Sequence, residues 1–266
     1  MRIGIFGAAG RMGRVLVRAV AERDGATLAA AVDRPGSPEI GADAGVLAGL
    51  GALGVTVADR ADAFAGCEAV IDFTAPAATA ALGTALGQRG VAHVIGTTGC
   101  GDAEEAAIAA AAHRIAVVKS GNMSLGVNLL AALVRRAAAA LPDADIEIVE
   151  MHHRRKVDAP SGTALLLGEA AAAGRGIRLR DHAVLAREGH TGAREAGTIG
   201  FQSLRGGTVV GEHEVILAMD SERVVLGHVA EDRAVFARGA VTAALWTKGR
   251  APGLYSMADV LGIGEV

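Results

Sequence analysis

The sequence predicts an α/β chain with two domains: an N-terminal parallel sheet flanked by helices, and a C-terminal α+β domain with a mixed or antiparallel sheet. Three observations point there. Short β-branched runs alternate with helix-like stretches over the first 120 residues, and the runs are almost wholly apolar, as strands buried on both faces are. From about residue 145 the runs alternate polar and apolar, and several follow one another with no helix between them. After Asp232 the pattern turns helical again. The first domain is therefore expected to comprise residues 1–123 and 233–266, with 124–232 forming the second.

The expected strands of the first domain are IGIF (3–6), TLAAAV (27–32), VTV (55–57), AVIDF (69–73), AHVIG (92–96) and IAVV (115–118). Helices are expected over 11–22, 77–88 and 102–113. The alanine-rich AEEAAIAAAAHR at 103–114 has glutamates at one end and an arginine at the other, which suits a soluble helix and its dipole. Loop-forming DRPGSPEIGADAG at 33–45 falls after a strand, where ligand-binding loops sit in such sheets. In the second domain DIEIVEMHH reads as a half-solvated strand, 163–173 as a helix, and GTIGFQSLRGG, VVGEHEVILAM and SERVVLGHVA as strands joined by tight turns.

Bulk properties exclude several roles. The chain has 266 residues, 51% of them apolar and 21% charged, which is ordinary for a globular protein with a proper core. A net charge of −3 provides no electrostatic footprint for nucleic acid or an anionic membrane. No apolar run reaches the ~18 residues a membrane helix needs, and Met1 leads directly into strand-like RIGIF rather than a charged-then-apolar leader. Cys67 and Cys100 are too few for a disulfide framework and lack metal-ligand spacing, so a cytoplasmic location is expected.

GIFGAAGRMGRVL at 4–16 places Gly7, Gly10 and Gly13 between a strand and a helix. Glycines there allow a tight turn, close approach to a pyrophosphate and helix–sheet packing, the signature of a Rossmann-like dinucleotide site. The spacing is G-x-x-G-x-x-G, and no Lys-Ser or Lys-Thr follows, which excludes a nucleoside triphosphate loop. Asp33, at the end of the second strand, is placed to bind a ribose 2′-hydroxyl, while the neighbouring Arg34 would attract a 2′-phosphate. NADH and NADPH thus both stay open, with NADH favoured. Gly96-Thr97-Thr98-Gly99 and Ser120-Gly121-Asn122-Met123-Ser124 end the fifth and sixth strands, at the edge where a nicotinamide half would rest. Each also has a plain reading as turn and capping chemistry.

The densest chemistry lies at 150–165, EMHHRRKVDAPSGTAL. The chain holds only three lysines, Lys119, Lys156 and Lys248, and one is here. Successive strand side chains face opposite ways, so His152 and His153 cannot share a pocket unless the strand ends or bends, which argues against a metal site. Pro160-Ser161-Gly162-Thr163 opens a helix, leaving the amides of Gly162 and Thr163 for a carboxylate. Histidine and lysine supply titratable protons. Such a pocket suits a small dianion that is protonated as it reacts.

GAAGRMG, GTTG, NMSLGVN at 122–128, EAGTIGFQSLRGGTVVGEHEV at 195–215, the terminal GLYSMADVLG and above all HHRRKVDAPSGTA resemble the 4-hydroxy-tetrahydrodipicolinate (dihydrodipicolinate) reductase family of lysine and diaminopimelate biosynthesis. Arg155 departs from the family pattern, which often has histidine there. The resemblance implies an N-terminal domain for NADH or NADPH and a C-terminal domain for a cyclic imine dicarboxylate and for homotetramer contacts. It implies His152 as the acid/base residue, Lys156 as a proton donor, and His153, Gly162 and Thr163 as substrate contacts. It implies a cofactor site lined by Gly7, Ala8, Ala9, Gly10, Arg11, Met12, Asp33, Arg34, Gly96, Thr97, Thr98, Ser120, Gly121, Asn122 and Met123, and no metal. Two other readings remain: a reductase of another small carbonyl or imine acid on the same architecture, and a non-catalytic dinucleotide sensor.

Overall fold

A computed structural model describes residues 1–263; the last three positions of the expected first domain, 264–266, lie outside the described residues. The chain divides into two compact units, one of Met1–Leu125 with Ala234–Gly262 and one built on Gly126–Arg233.

The first unit runs β1 (Arg2–Phe6), α1 (Arg11–Ala21), β2 (Thr27–Val32), α2 (Ala44–Leu47), β3 (Val57–Ala58), β4 (Ala69–Asp72), α3 (Pro76–Arg89), β5 (Ala92–Ile95), α4 (Asp102–Ala112) and β6 (Ala116–Lys119). Later in the chain α8 (Ala234–Trp246), β12 (Gly253–Tyr255) and α9 (Met257–Leu261) complete it. All seven strands are parallel, in the order β12-β6-β5-β4-β1-β2-β3. The strand order reverses direction between β1 and β4, and that switch point is where such sheets open a ligand crevice at their carboxyl edge. Both faces are covered, as the apolar strands require. Leu16, Val17 and Val20 of α1 pack with Ala240 and Val241 of α8 against Ile3, Ile5 and Ile71. Leu82 and Leu86 of α3 and Ile108 of α4 pack against Val70, Ile95 and Val117 on the other face.

Local signals account for the element ends. α3 starts with Pro76 in its first turn and stops at Gly90, whose φ of 69° is left-handed. α4 starts where the Glu104 carboxylate accepts the Gly101 N–H at 2.9 Å. The seventh strand, β12, is not among the six expected, and two further features of the first unit differ from expectation. The third strand shrinks to Val57–Ala58, and the loop 33–45 runs into the short α2. The cause is Asp43, whose carboxylate accepts the amides of Gly45, Val46, Leu53 and Gly54 and so holds residues 43–54 as a turn of their own.

The second unit contains α5 (Leu125–Ala140, its first residue counted with the other unit), β7 (Asp145–His152), α6 (Gly162–Gly174), α7 (Leu179–His182), β8 (Ala183–Val184), β9 (Ile199–Arg205), β10 (Gly211–Met219) and β11 (Glu222–Ala230). Its sheet is mixed, in the order β11-β10-β7-β9-β8: β10 pairs antiparallel with β7 and β11, while β9 runs parallel to β7 and β8. Leu130 and Val134 of α5 and Leu167 and Ala171 of α6 cover one face, over Ile146, Ile148, Phe201, Val215 and Leu217. The other face carries Leu204, Val225 and Val229, exposed to 49%, 47% and 62%.

One close approach is decisive for the first unit. A Cβ at Gly239 of α8 would lie 1.8 Å from the carbonyl oxygen of Met123. Gly239→Ala is therefore expected to cost about 1–3 kcal/mol through overpacking and to lower Tm by several degrees. Gly87→Ala, in α3 with no neighbour closer than 3.8 Å to the new methyl, should hold Tm steady or raise it. Differential scanning calorimetry of both variants checks the pair.

Candidate active site

In the first unit the glycine loop is tied down from within. The N–H groups of Gly7 and Ala8 both donate to the carbonyl of Val32, and that of Gly10 donates to the carbonyl of Gly7. Gly7 has a φ of 78°, and a Cβ at Gly13 would sit 2.0 Å from the Gly7 carbonyl oxygen, so neither position admits a side chain. Gly10 provides no side-chain cap for α1. The first-turn amides of Arg11, Met12 and Gly13 therefore have no intrahelical acceptor and face an anion site at the positive helix end. Asp33 accepts the Ala9 N–H at 2.8 Å with one carboxylate oxygen and the Arg34 N–H at 2.8 Å with the other. It thus stands beside the loop with lone pairs left for a ribose. These residues fit a nicotinamide dinucleotide.

The other predicted cofactor residues fall on two loops of the same carboxyl edge. Thr97 is buried and Thr98 exposed. Gly96 is required where it stands, since a Cβ would lie 2.3 Å from the Phe73 ring. Ser120 donates its hydroxyl to the carbonyl of Asn122 at 2.7 Å, and the Asn122 side chain accepts the Ser124 N–H at 2.8 Å. Residues 120–124 therefore form a self-bonded turn, with Met123 buried beneath it at 1% exposure.

In the second unit the chemistry converges on Glu150. Strand register places Glu150 opposite Ser203 of β9 and His213 of β10, and His152 opposite Arg205 of β9, so these side chains share one face. Glu150 is 1% exposed. Arg205 donates two parallel hydrogen bonds to its carboxylate, both 2.8 Å, the Ser161 N–H donates at 3.1 Å, and His152 Nδ1 lies 2.6 Å from Oε2. Burial alone would raise the Glu150 pKa; the hydrogen bonds from Arg205, His152 and Ser203 outweigh it and hold it at about 2. The carboxylate is ionised at neutral pH, so the proton between it and His152 sits on Nδ1. That leaves Nε2 as the imidazole's working atom. A Cβ at Gly211 would come within 3.1 Å of that Nε2.

Burial pulls the His152 pKa below its usual value, and Glu150 partly restores it. The His213 ring meets the His152 ring edge-on at 5.1 Å and lies 3.0 Å from the Ser161 hydroxyl. Burial, with some help from His152, drops the His213 pKa to about 4, so it is neutral at pH 7. Ser161 also caps α6, its hydroxyl accepting the Ala164 N–H at 3.1 Å. The Gly162 amide has no intrahelical acceptor, and the space where its Cβ would project is open. Thr163 follows it in the first turn of α6.

The two histidines take separate partners. His153 lies just past the end of β7 and accepts a hydrogen bond at Nε2 from Arg233 at 3.0 Å. A guanidinium only donates, so the His153 proton is on Nδ1, which is buried with no partner. That orphaned donor suits a substrate oxygen. The Lys156 ammonium contacts both oxygens of Asp158, at 2.9 and 2.8 Å. Asp158 is 57% exposed on its side chain, so the pair is readily exchanged for another carboxylate. Arg155 is exposed.

Sequence reasoning assigned no role to Glu150, Arg205, His213 or Ser161. Glu150 stands two residues before His152 on the same strand face, a spacing that could have drawn attention. Arg205 and His213 come from distant strands and carry no local signal.

Known proteins match along the whole length. The family model described as dihydrodipicolinate reductase, N-terminus, matches residues 1–123, and that of its C-terminus matches 126–261. A 4-hydroxy-tetrahydrodipicolinate reductase of Methylocella silvestris is 62% identical over 267 residues, covering 100% of this chain and 98% of that protein. One from Sinorhizobium medicae is 59% identical over 266 residues, covering 99% and 98%. Among solved structures, a dipicolinate-bound dihydrodipicolinate reductase from Paenisporosarcina has the same fold, with a TM-score of 0.78 at 22% identity over 97% of this chain and 98% of that one.

Because the Glu150 pKa is depressed on folding, its stabilisation is fully present above the ordinary carboxylate range and is lost as pH falls from about 4.5 to about 2. Across that window the parent should lose roughly 3 kcal/mol from this group. Glu150→Gln is expected to be less stable at pH 7 and to show a shallower acid slope. Urea unfolding at pH 6 and pH 3 measures both; identical slopes would mean that the carboxylate is not held ionised.

Proposed function

This chain belongs to the dihydrodipicolinate reductase family, and from that premise we propose how its residues divide the work. It is an oxidoreductase that reduces 4-hydroxy-tetrahydrodipicolinate to tetrahydrodipicolinate in lysine and diaminopimelate biosynthesis, as its near-full-length relatives are named. The balance is one hydride and one proton added and one water lost from the hydroxylated ring. A nicotinamide dinucleotide, when bound, supplies the hydride.

The first-turn amides of Arg11 and Met12 hold its pyrophosphate, Asp33 its ribose, and the 96–98 and 120–123 loops its nicotinamide half. His152 supplies the proton from Nε2 when the ring is doubly protonated, its Nδ1–H staying with Glu150. Lys156 exchanges Asp158 for a substrate carboxylate and stabilises the negative charge that hydride addition creates. The Gly162 and Thr163 amides take the second carboxylate, and the His153 Nδ1–H a ring substituent. The observation that carries this reading is the buried, ionised Glu150 at 2.6 Å from His152 Nδ1. An imidazolium whose Nδ1–H is held by an acid and whose charged form is disfavoured by burial gives up its Nε2 proton readily near neutral pH.

Asp33 also favours NADH over NADPH, because its carboxylate stands against the glycine loop and would repel a 2′-phosphate, while Arg34 is exposed. The second face of the second unit's sheet, where exposed Leu204, Val225 and Val229 stand among Gln202, Glu212 and Glu214, supports assembly into a homotetramer through further copies of this chain. A cytoplasmic setting is consistent with the free thiols of Cys67 and Cys100 and with the absence, among the described residues, of any helix long and apolar enough to cross a membrane.

With dihydrodipicolinate generated enzymatically in the cuvette, the parent should consume NADH, followed by absorbance. His152→Ala and Lys156→Ala should each lower kcat by about 10²–10⁴-fold with cofactor affinity little changed. Unchanged turnover in both variants would refute the roles given to them. Asp33→Ala should shift the NADH/NADPH ratio of KM by about tenfold towards NADPH, the equivalent of ~1.4 kcal/mol.

A further inference from the structure

A second buried carboxylate, in the first unit, is used by none of the steps above. Asp72 ends β4 and is 0% exposed. It lies at the switch point, where β4 neighbours β1. Its surroundings are otherwise the apolar layer of Val70, Ile95, Leu82 and Leu86. A charge there is tolerable only if its lone pairs are met by donors.

They are. One oxygen accepts the Thr74 N–H at 3.0 Å, the Thr74 hydroxyl at 2.6 Å and the Thr97 hydroxyl at 3.3 Å. The other meets His93 Nε2 at 3.2 Å, and His93 is itself 0% exposed. Thr97 is then saturated, its oxygen accepting from the Thr79 hydroxyl at 2.9 Å and the Thr74 N–H at 3.0 Å. His93 Nδ1 is buried with no partner. An unmet lone pair costs less than an unmet N–H, so the ring donates through Nε2 and leaves Nδ1 bare. The network also reaches the glycine loop: a Cβ at Gly7 would come within 2.8 Å of the Thr74 methyl. One carboxylate thus joins the ends of β4 and β5, and through Thr74 it abuts the loop after β1.

We infer that Asp72, backed by His93, is the positioning residue that fixes Thr74 and Thr97 and so sets the shape of the dinucleotide site. The inference rests on the reading that the 96–98 loop belongs to that site. Aspartate is required because an amide at this position turns its NH2 either towards the His93 N–H or towards the threonine donors, so one side of the network loses its acceptor.

The test is equilibrium binding of NADH, read by nucleotide fluorescence without substrate, at a temperature where each variant is folded by circular dichroism. Asp72→Asn and Thr97→Val should each raise Kd by about tenfold, and the double variant should be no worse than the weaker single, as members of one network behave. His93→Gln, which keeps a donor, should bind like the parent, whereas His93→Leu should not. Asp33→Ala reports on the site itself. If it weakens binding while Asp72→Asn binds like the parent and only melts earlier, Asp72 is structural and the inference falls alone. If neither changes Kd, the cofactor-site reading falls and takes the inference with it. Should Asp72→Asn fail to fold, Thr97→Val and the two His93 variants decide on the same criteria.

Discussion

The paired charge of Glu150 and Arg205 is the constraint on which the second unit's chemistry depends. A carboxylate on the covered face of a sheet stays ionised only when donors replace the water it has lost. Arg205 meets both oxygens, and its second nitrogen also donates to the carbonyl of Asp158 at 2.8 Å. The Ser161 amide and the His152 ring complete the shell. Three things follow from that single pairing: the tautomer of His152, the position of the first turn of α6, and the path of the loop between them. Removing one partner of such a pair typically costs 3–5 kcal/mol, because the other charge is left buried alone.

The loop after β7 is held to the same centre at both ends. Gly206 donates to the His152 carbonyl at 2.9 Å, and Arg154 donates to the Gly207 carbonyl at 3.3 Å. Lys156 donates its own N–H to the His153 carbonyl, closing a tight turn that brings its side chain to Asp158. The basic run thus hangs between a strand end and a helix start whose positions are set by Glu150. The first unit solves a related problem with Asp72, another buried acid at a strand end, whose donors come from two loops and the His93 ring of β5 instead of a guanidinium. In both units an acid in a low-dielectric layer converts the cost of its own burial into fixed geometry.

Glycine does the complementary work of letting neighbours approach the backbone closely. Gly13 lies against Gly7, Gly96 against Phe73, and Gly200 of β9 against Glu147, whose carboxylate would meet a Cβ at 2.0 Å. At the last of these, Glu147 turns away from the core face and is held by Arg187 and Arg194, which fasten the segment before β9 onto the sheet. At Gly13 a Cβ meets backbone, which a packed interior has little slack to move, whereas at Gly96 and Gly200 it meets a side chain that must give way.

Much of this protein was legible in its sequence. The parallel sheet followed from apolar runs that only a doubly covered strand can bury, and the mixed sheet from alternation without intervening helices. The glycine loop, His152, His153, Lys156 and the Ser161 turn were visible as local patterns, because the chemistry of a helix start or a strand end is written within a few residues. The two-residue length of β3, the elements α7, β8 and β12, and the parallel course of β9 were not, since pairing direction and the extent of a two- or three-residue strand depend on what lies alongside. Nor was it visible that Glu150, Arg205, Ser161 and His213 form one cluster, or that Asp72, His93, Thr79 and Thr97 form another. Their members are 11 to 63 residues apart around Glu150 and up to 25 apart around Asp72. A hydrogen bond is decided by distances of a few tenths of an ångström, and only strand register and packing determine those.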